Sequence, residues 1–128
     1  MLIPEVSSAA YALIAAGFRV FVSPSHDNSI VVACYHDGKW HLGSLEYYHK
    51  EWRYLTKHVG DLQIGSGFVY NEPTKELDVE ILREACLSHA PFWIDSKLAE
   101  LVKKYDIDKW IEEYGHYTEY KLDHAVPN

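Results

Sequence analysis

The sequence predicts an α+β fold, a small antiparallel sheet from a hairpin-rich middle with an N-terminal helix and two or three C-terminal helices packed on one face. Three observations predict it. Helix-like and strand-like segments are segregated along the chain instead of alternating as βαβ units. Asp37-Gly38 stands between two apolar runs, the strongest short-range hairpin signal. Stripes of helical period recur after Thr74. A length of 128 residues fits one domain, spanning 1–128.

The first helix is predicted from about Glu5 to Ala16. Pro4 suits its entrance, Gly17 supplies a left-handed stop, and Val6, Ala9, Ala10, Leu13 and Ile14 form one stripe. Arg19-Val20-Phe21-Val22 follows as a strand, closed by the turn formers Pro24 to Asn28. Ile30 to Tyr35 is the strongest strand, rich in β-branched residues, and Lys39 to Leu45 returns as its partner. With Asp37-Gly38 as a two-residue loop, His36 pairs with Lys39, Tyr35 with Trp40, Cys34 with His41 and Ala33 with Leu42. Alternation then sets Val31, Ala33, Tyr35, Trp40 and Leu42 on the expected core face. Ile30, Val32, Cys34, His36 and His41 take the other.

Leu45, Tyr48, Trp52, Leu55 and Val59 are spaced 3, 4, 3 and 4, which predicts a helix over Leu45–Val59 with Ser44 able to cap it and Gly60 to end it, although the Tyr and Trp content favours strand. Leu62-Gln63-Ile64 and Gly67-Phe68-Val69-Tyr70 read as two short strands. Thr74 is expected to cap a helix reaching about His89, with Leu77, Ile81, Leu82, Ala85 and Cys86 on its inner side. Asp95 and Asp106 open two further helical stretches, and Tyr117 to Leu122 alternates like a strand.

Composition narrows the function classes. Against 12 Lys plus Arg stand 19 Asp plus Glu, a net charge of −7. The second half carries most of it: residues 65–128 hold seven basic and thirteen acidic groups, residues 1–64 five and six. An acidic chain repels phosphates, which argues against nucleic acid as a partner. No stretch approaches the roughly 20 apolar residues of a membrane span. Two cysteines, and no basic region ahead of the apolar segment Ala9 to Ala16, lead to the expectation of a reducing, cytoplasmic location. No cofactor motif is present: Gly65-Ser66-Gly67 precedes a strand-like run, unlike a phosphate-binding loop, and Ser66 has no nucleophile-elbow spacing.

Aromatic residues make up 14% of the chain, including 10 Tyr and 4 Trp. Tyr and Trp bury large areas at small rotamer cost, which suits binding patches. On the helical reading Tyr47 and Tyr54, seven residues apart, share an exposed face. In the stretch from Asp106 to Tyr114 carboxylates interleave with rings: Asp106, Asp108, Glu112 and Glu113 around Trp110 and Tyr114. These residues are the expected docking surface for a protein partner, most naturally a basic one. In size, acidity and lack of a catalytic motif the chain resembles toxin-neutralising immunity proteins and phage-encoded inhibitors of bacterial defence, a likeness of general character carried by no motif.

Two alternatives compete with docking. Cys34, His36 and His41 bring a thiol and two imidazoles to one hairpin face, a donor set suited to zinc or to a small hydrolase using a histidine-activated thiol. The histidine-rich first half, with Lys39, Lys50 and Arg53 nearby, offers acid–base groups in the same way. A small-molecule sensor is the other, with a pocket between sheet and helices lined by Trp40, Trp52 and Tyr35.

Overall fold

The computed structural model describes residues 1–56, 69–70, 72–88, 108–109 and 117–122. Helix α1 (Pro4–Ala15) leads into strand β1 (Arg19–Val22), then β2 (Ser29–His36), β3 (Lys39–Tyr48), β4 (Glu51–Thr56) and β5 (Val69–Tyr70). Helix α2 (Val79–Ser88) and strand β6 (Thr118–Tyr120) follow. The strands form one sheet in the order β5-β4-β3-β2-β1-β6, every neighbouring pair antiparallel. The α+β class is as expected. Beyond α1, the one further helix element among the described residues is α2, between β5 and β6, so the two or three C-terminal helices expected are not borne out there. Of the stretches predicted from Asp95 and Asp106, only Asp108 and Lys109 are described, both helical.

Helix α1 forms where its stripe predicts. Pro4 occupies the first turn, where a missing N–H costs nothing. At the other end Gly17 takes φ +99°, the Phe18 amide donates to Leu13 O, and the Gly17 amide donates to Ile14 O. This is a Schellman stop, with Phe18 and Leu13 both buried beside it.

The β2–β3 hairpin has the predicted register at every pair from His36–Lys39 to Ala33–Leu42. Asp37 and Gly38 both have positive φ, as a type I′ loop requires. Strand β3 runs on to Tyr48, where the sequence argued for a helix. That helix is a correction: Ser44–Tyr48 pairs with Glu51–Leu55 as a second tight hairpin. The 3-4 spacing of Leu45, Tyr48, Trp52 and Leu55 is a by-product of two strands meeting at a two-residue turn; Val59 lies outside the described residues. That turn carries no glycine or asparagine. His49 and Lys50 hold φ of +53° and +63°, which side chains with a Cβ adopt at a cost of about 1 kcal/mol or more each. Lys50→Gly is therefore expected to raise the thermal midpoint by roughly 3–5 °C, for a gain of about 1 kcal/mol. An unchanged or lower midpoint in a calorimetric scan would mean that the turn is not strained.

The side of the sheet covered by helices also corrects the sequence reading. Both α1 and α2 pack on the face bearing Val20, Ile30, Val32, Cys34, Leu45, Trp52 and Tyr54, with Val6, Leu13, Leu82 and Cys86 above them. The set expected to face the core, Val31, Ala33 and Leu42, is buried too, on the opposite face with Phe21. A strand buried on both faces carries no alternation from which to choose its inner side.

Helix α2 starts at Val79, later than Thr74. Asp78 is its N-cap: Oδ1 accepts from the amides of Glu80 and Ile81 at 3.1 and 3.0 Å. Thr74 instead exchanges both backbone hydrogen bonds with Trp52, extending the outer edge of β4.

Candidate docking surface

Among the described residues, strand register leaves the end of the β2–β3 hairpin, its arm, without a paired strand on either edge. β1 pairs with β2 as far as Ala33, and β4 with β3 as far as Ser44. Among the described residues, Cys34–His36 and Lys39–Gly43 thus continue as a two-stranded ribbon past both neighbours. At about 3.3 Å per residue, three residues of β2 reach roughly 10 Å. The arm has two dissimilar sides. On one, Tyr35 and Trp40 meet edge to face at 5.1 Å between ring centres, and Tyr35 is 58% exposed. On the other, the His36 and His41 rings lie 6.2 Å apart, and His41 Nε2 is 3.3 Å from the carbonyl oxygen of His36.

Behind the aromatic pair stands Arg19. Its guanidinium lies 5.3 Å from the Trp40 ring centre and 5.4 Å from that of Phe21. Nε and Nη2 donate to the two carboxylate oxygens of Glu119 at 3.0 and 2.8 Å, and Nη2 also reaches Asp108 Oδ1 at 2.6 Å. The Glu119 hydrogen bonds, helped by Asp108 and opposed by partial burial, hold the guanidinium even further from deprotonation than usual. A fork-on-fork pair of this kind fixes both partners. It joins β1, β6 and the Asp108 segment beneath the arm. Only fold geometry unites Arg19 and Glu119, which are 100 positions apart.

The expected docking residues separate. Asp108 is exposed and paired with Arg19. Tyr47 is half-buried, tilted against Trp52 at 4.7 Å. Tyr54 is fully buried, which corrects its expected exposure beside Tyr47. On adjacent strands of a hairpin, seven residues no longer means two turns of one helix. Asp106, Trp110, Glu112, Glu113 and Tyr114 lie outside the described residues. Sequence reasoning assigned Tyr35 to the core and so missed an exposed ring of the arm; its position close to the Asp37-Gly38 turn was the available signal.

The cysteines are separated from the two imidazoles by burial. Cys34 is 2% exposed, and Arg83 Nη1 approaches its sulfur to 3.6 Å. Burial pushes the Cys86 thiol far above its ordinary range, Cys34 adds to the rise, and Arg83 opposes it. Held protonated in this way, Cys86 is a poor nucleophile. Among the described residues no group of three or more His, Cys, Asp or Glu is placed to hold a metal ion. The sensor pocket is corrected as well: Trp52 belongs to the helix-covered face, whereas Tyr35 and Trp40 stand on the opposite one.

What this geometry defines is a class: an α+β scaffold whose central strands are buried on both faces, with an aromatic pair at the end of its central hairpin. No protein-family model, curated protein or solved structure matches the chain. No helix among the described residues is long and apolar enough to cross a membrane.

Proposed function

We propose that this protein is a docking module that binds and sequesters a basic protein partner, in the manner of an immunity protein or an anti-defence inhibitor. The observation that carries the reading is the 58% exposure of Tyr35, held edge to face by Trp40 on a ribbon whose backbone is already hydrogen-bonded. A large ring presented on an ordered ribbon spares the loop-ordering entropy that a mobile segment would lose on association, the property of a binding anchor. The net charge of −7, concentrated in the second half, supplies the attraction toward a basic surface. In this reading Asp106, Glu112 and Glu113 steer the encounter, Trp110 and Tyr114 add apolar contact, and Asp108 braces Arg19.

Capture from the native host at low and high salt, followed by mass spectrometry, tests it. The partner is expected to be basic and to be released by salt. Tyr35→Ala is expected to weaken the complex by about 2 kcal/mol, roughly thirtyfold, with an unchanged melting temperature. Lysine at positions 106, 112 and 113 together is expected to slow association. A complex indifferent to both sets of changes would overturn the proposal.

A further inference from the structure

The imidazole side of the arm is unused by the docking reading, and its chemistry differs. We propose that His36 and His41 form a two-imidazole binding site for a divalent transition-metal ion, with water completing the coordination. The pair is diagonal across the hairpin, on the same face and at its solvent end: His36 is exposed, and His41 is half-buried and opposite Cys34. Its ring centres are 6.2 Å apart. A tetrahedral ion at roughly 2.0–2.1 Å from each ring nitrogen would set the centres about 5–5.5 Å apart, so the rings need to close by about 1 Å or less. Small torsional adjustments of two side chains at a hairpin end supply that movement.

His41 is already oriented for the task. With Nε2–H donated to the His36 carbonyl at 3.3 Å, the free lone pair sits on Nδ1. Metal-ligating histidines characteristically hold their other N–H on a carbonyl or carboxylate, which fixes the tautomer and aims the ligand nitrogen. The same contact holds the His41 ring against the backbone of His36, so the closing movement falls to the exposed His36 side chain. Cys34, the donor paired with His41 across the hairpin, is excluded from the set. It is buried, and the Arg83 guanidinium at its sulfur places a positive charge where an ion would have to sit.

Imidazole nitrogens select borderline ions over hard ones. Affinity is therefore expected to follow the order Cu(II) above Zn(II), with no binding of Mg(II). The full-length protein titrated with copper(II) chloride and zinc chloride in a calorimeter tests this, with amide and imidazole NMR signals followed in parallel. One ion per chain is expected, and Cu(II) should broaden signals of residues 34–42 first. His41→Asn and His36→Asn should each weaken binding by about tenfold or more, since each removes one of two protein ligands. Cys34→Ala and His49→Asn should change affinity less than twofold. The proposal is overturned if no ion binds, if broadening begins away from the hairpin, if either asparagine variant keeps its affinity, or if Cys34→Ala abolishes binding.

Discussion

Replacing Tyr54 by alanine is expected to remove about 3–5 kcal/mol of folding stability, a large part of what a domain of this size possesses. The ring is fully enclosed between the sheet and the helix layer. Its hydroxyl adds a second contribution that Tyr54→Phe isolates. Thr74 Oγ1 donates to the carbonyl of Glu76 at 2.6 Å, which leaves it to accept from Tyr54, whose oxygen is 2.6 Å away. Tyr54 in turn accepts from the amide of Asp78 at 2.9 Å. The chain of donors thus runs from Asp78 through Tyr54 and Thr74 to Glu76, each member satisfied by the next. Asp78 is also the N-cap of α2, so one phenol joins β4 to the start of that helix. Tyr54→Phe keeps the packing and leaves two polar groups to find new partners, a loss of about 1–3 kcal/mol. Urea denaturation of both variants measures the two parts. A phenylalanine variant as stable as the parent would show that the relay adds nothing beyond ring burial.

The second large effect is expected at Gly43. A Cβ built there would lie 2.8 Å from Cys86 Sγ, with Cys86 Cα at 3.6 Å and its Cβ at 3.7 Å. Helix α2 rests on the sheet at this point because β3 offers no side chain. Gly43→Ala is expected to destabilise by about 1–3 kcal/mol, since the cysteine is buried and short and has little room to turn away. Cys86→Ala in the same chain removes the clashing atom, so the double variant should be more stable than the sum of the single losses by about 1 kcal/mol or more. Additive losses would place the strain elsewhere, in the pairing of Gly43 with Val32.

Much of the chain is governed by local rules, and those parts were legible. Pro4 and Gly17 bound α1, and Asp37-Gly38 sets a hairpin register that holds residue for residue. Arg19–Val22 and the alternating run around Thr118–Tyr120 form strands where propensity places them, although their adjacency in the sheet could not be read from either segment. The second hairpin was obscured for a definite reason. His49-Lys50 pays for a type I′ turn with backbone strain instead of glycine, so the strongest hairpin signal is missing while an accidental 3-4 spacing remains.

The candidate site divides in the same way. The sequence determined that Tyr35 pairs with Trp40, that Cys34 opposes His41, and that acidic groups gather in the second half, because pairing and charge are properties of neighbours or of sums. The tertiary structure alone decided which face of the hairpin the helices cover, that Tyr54 is enclosed, that Cys34 is withdrawn beside Arg83, and that Arg19 grips Glu119. Both faces of the central strands are apolar enough to be buried, so alternation could not choose between them. That choice went to the side where Gly43 leaves room for Cys86 and α2 to descend onto the sheet, a steric fit between residues 43 positions apart that no local pattern records.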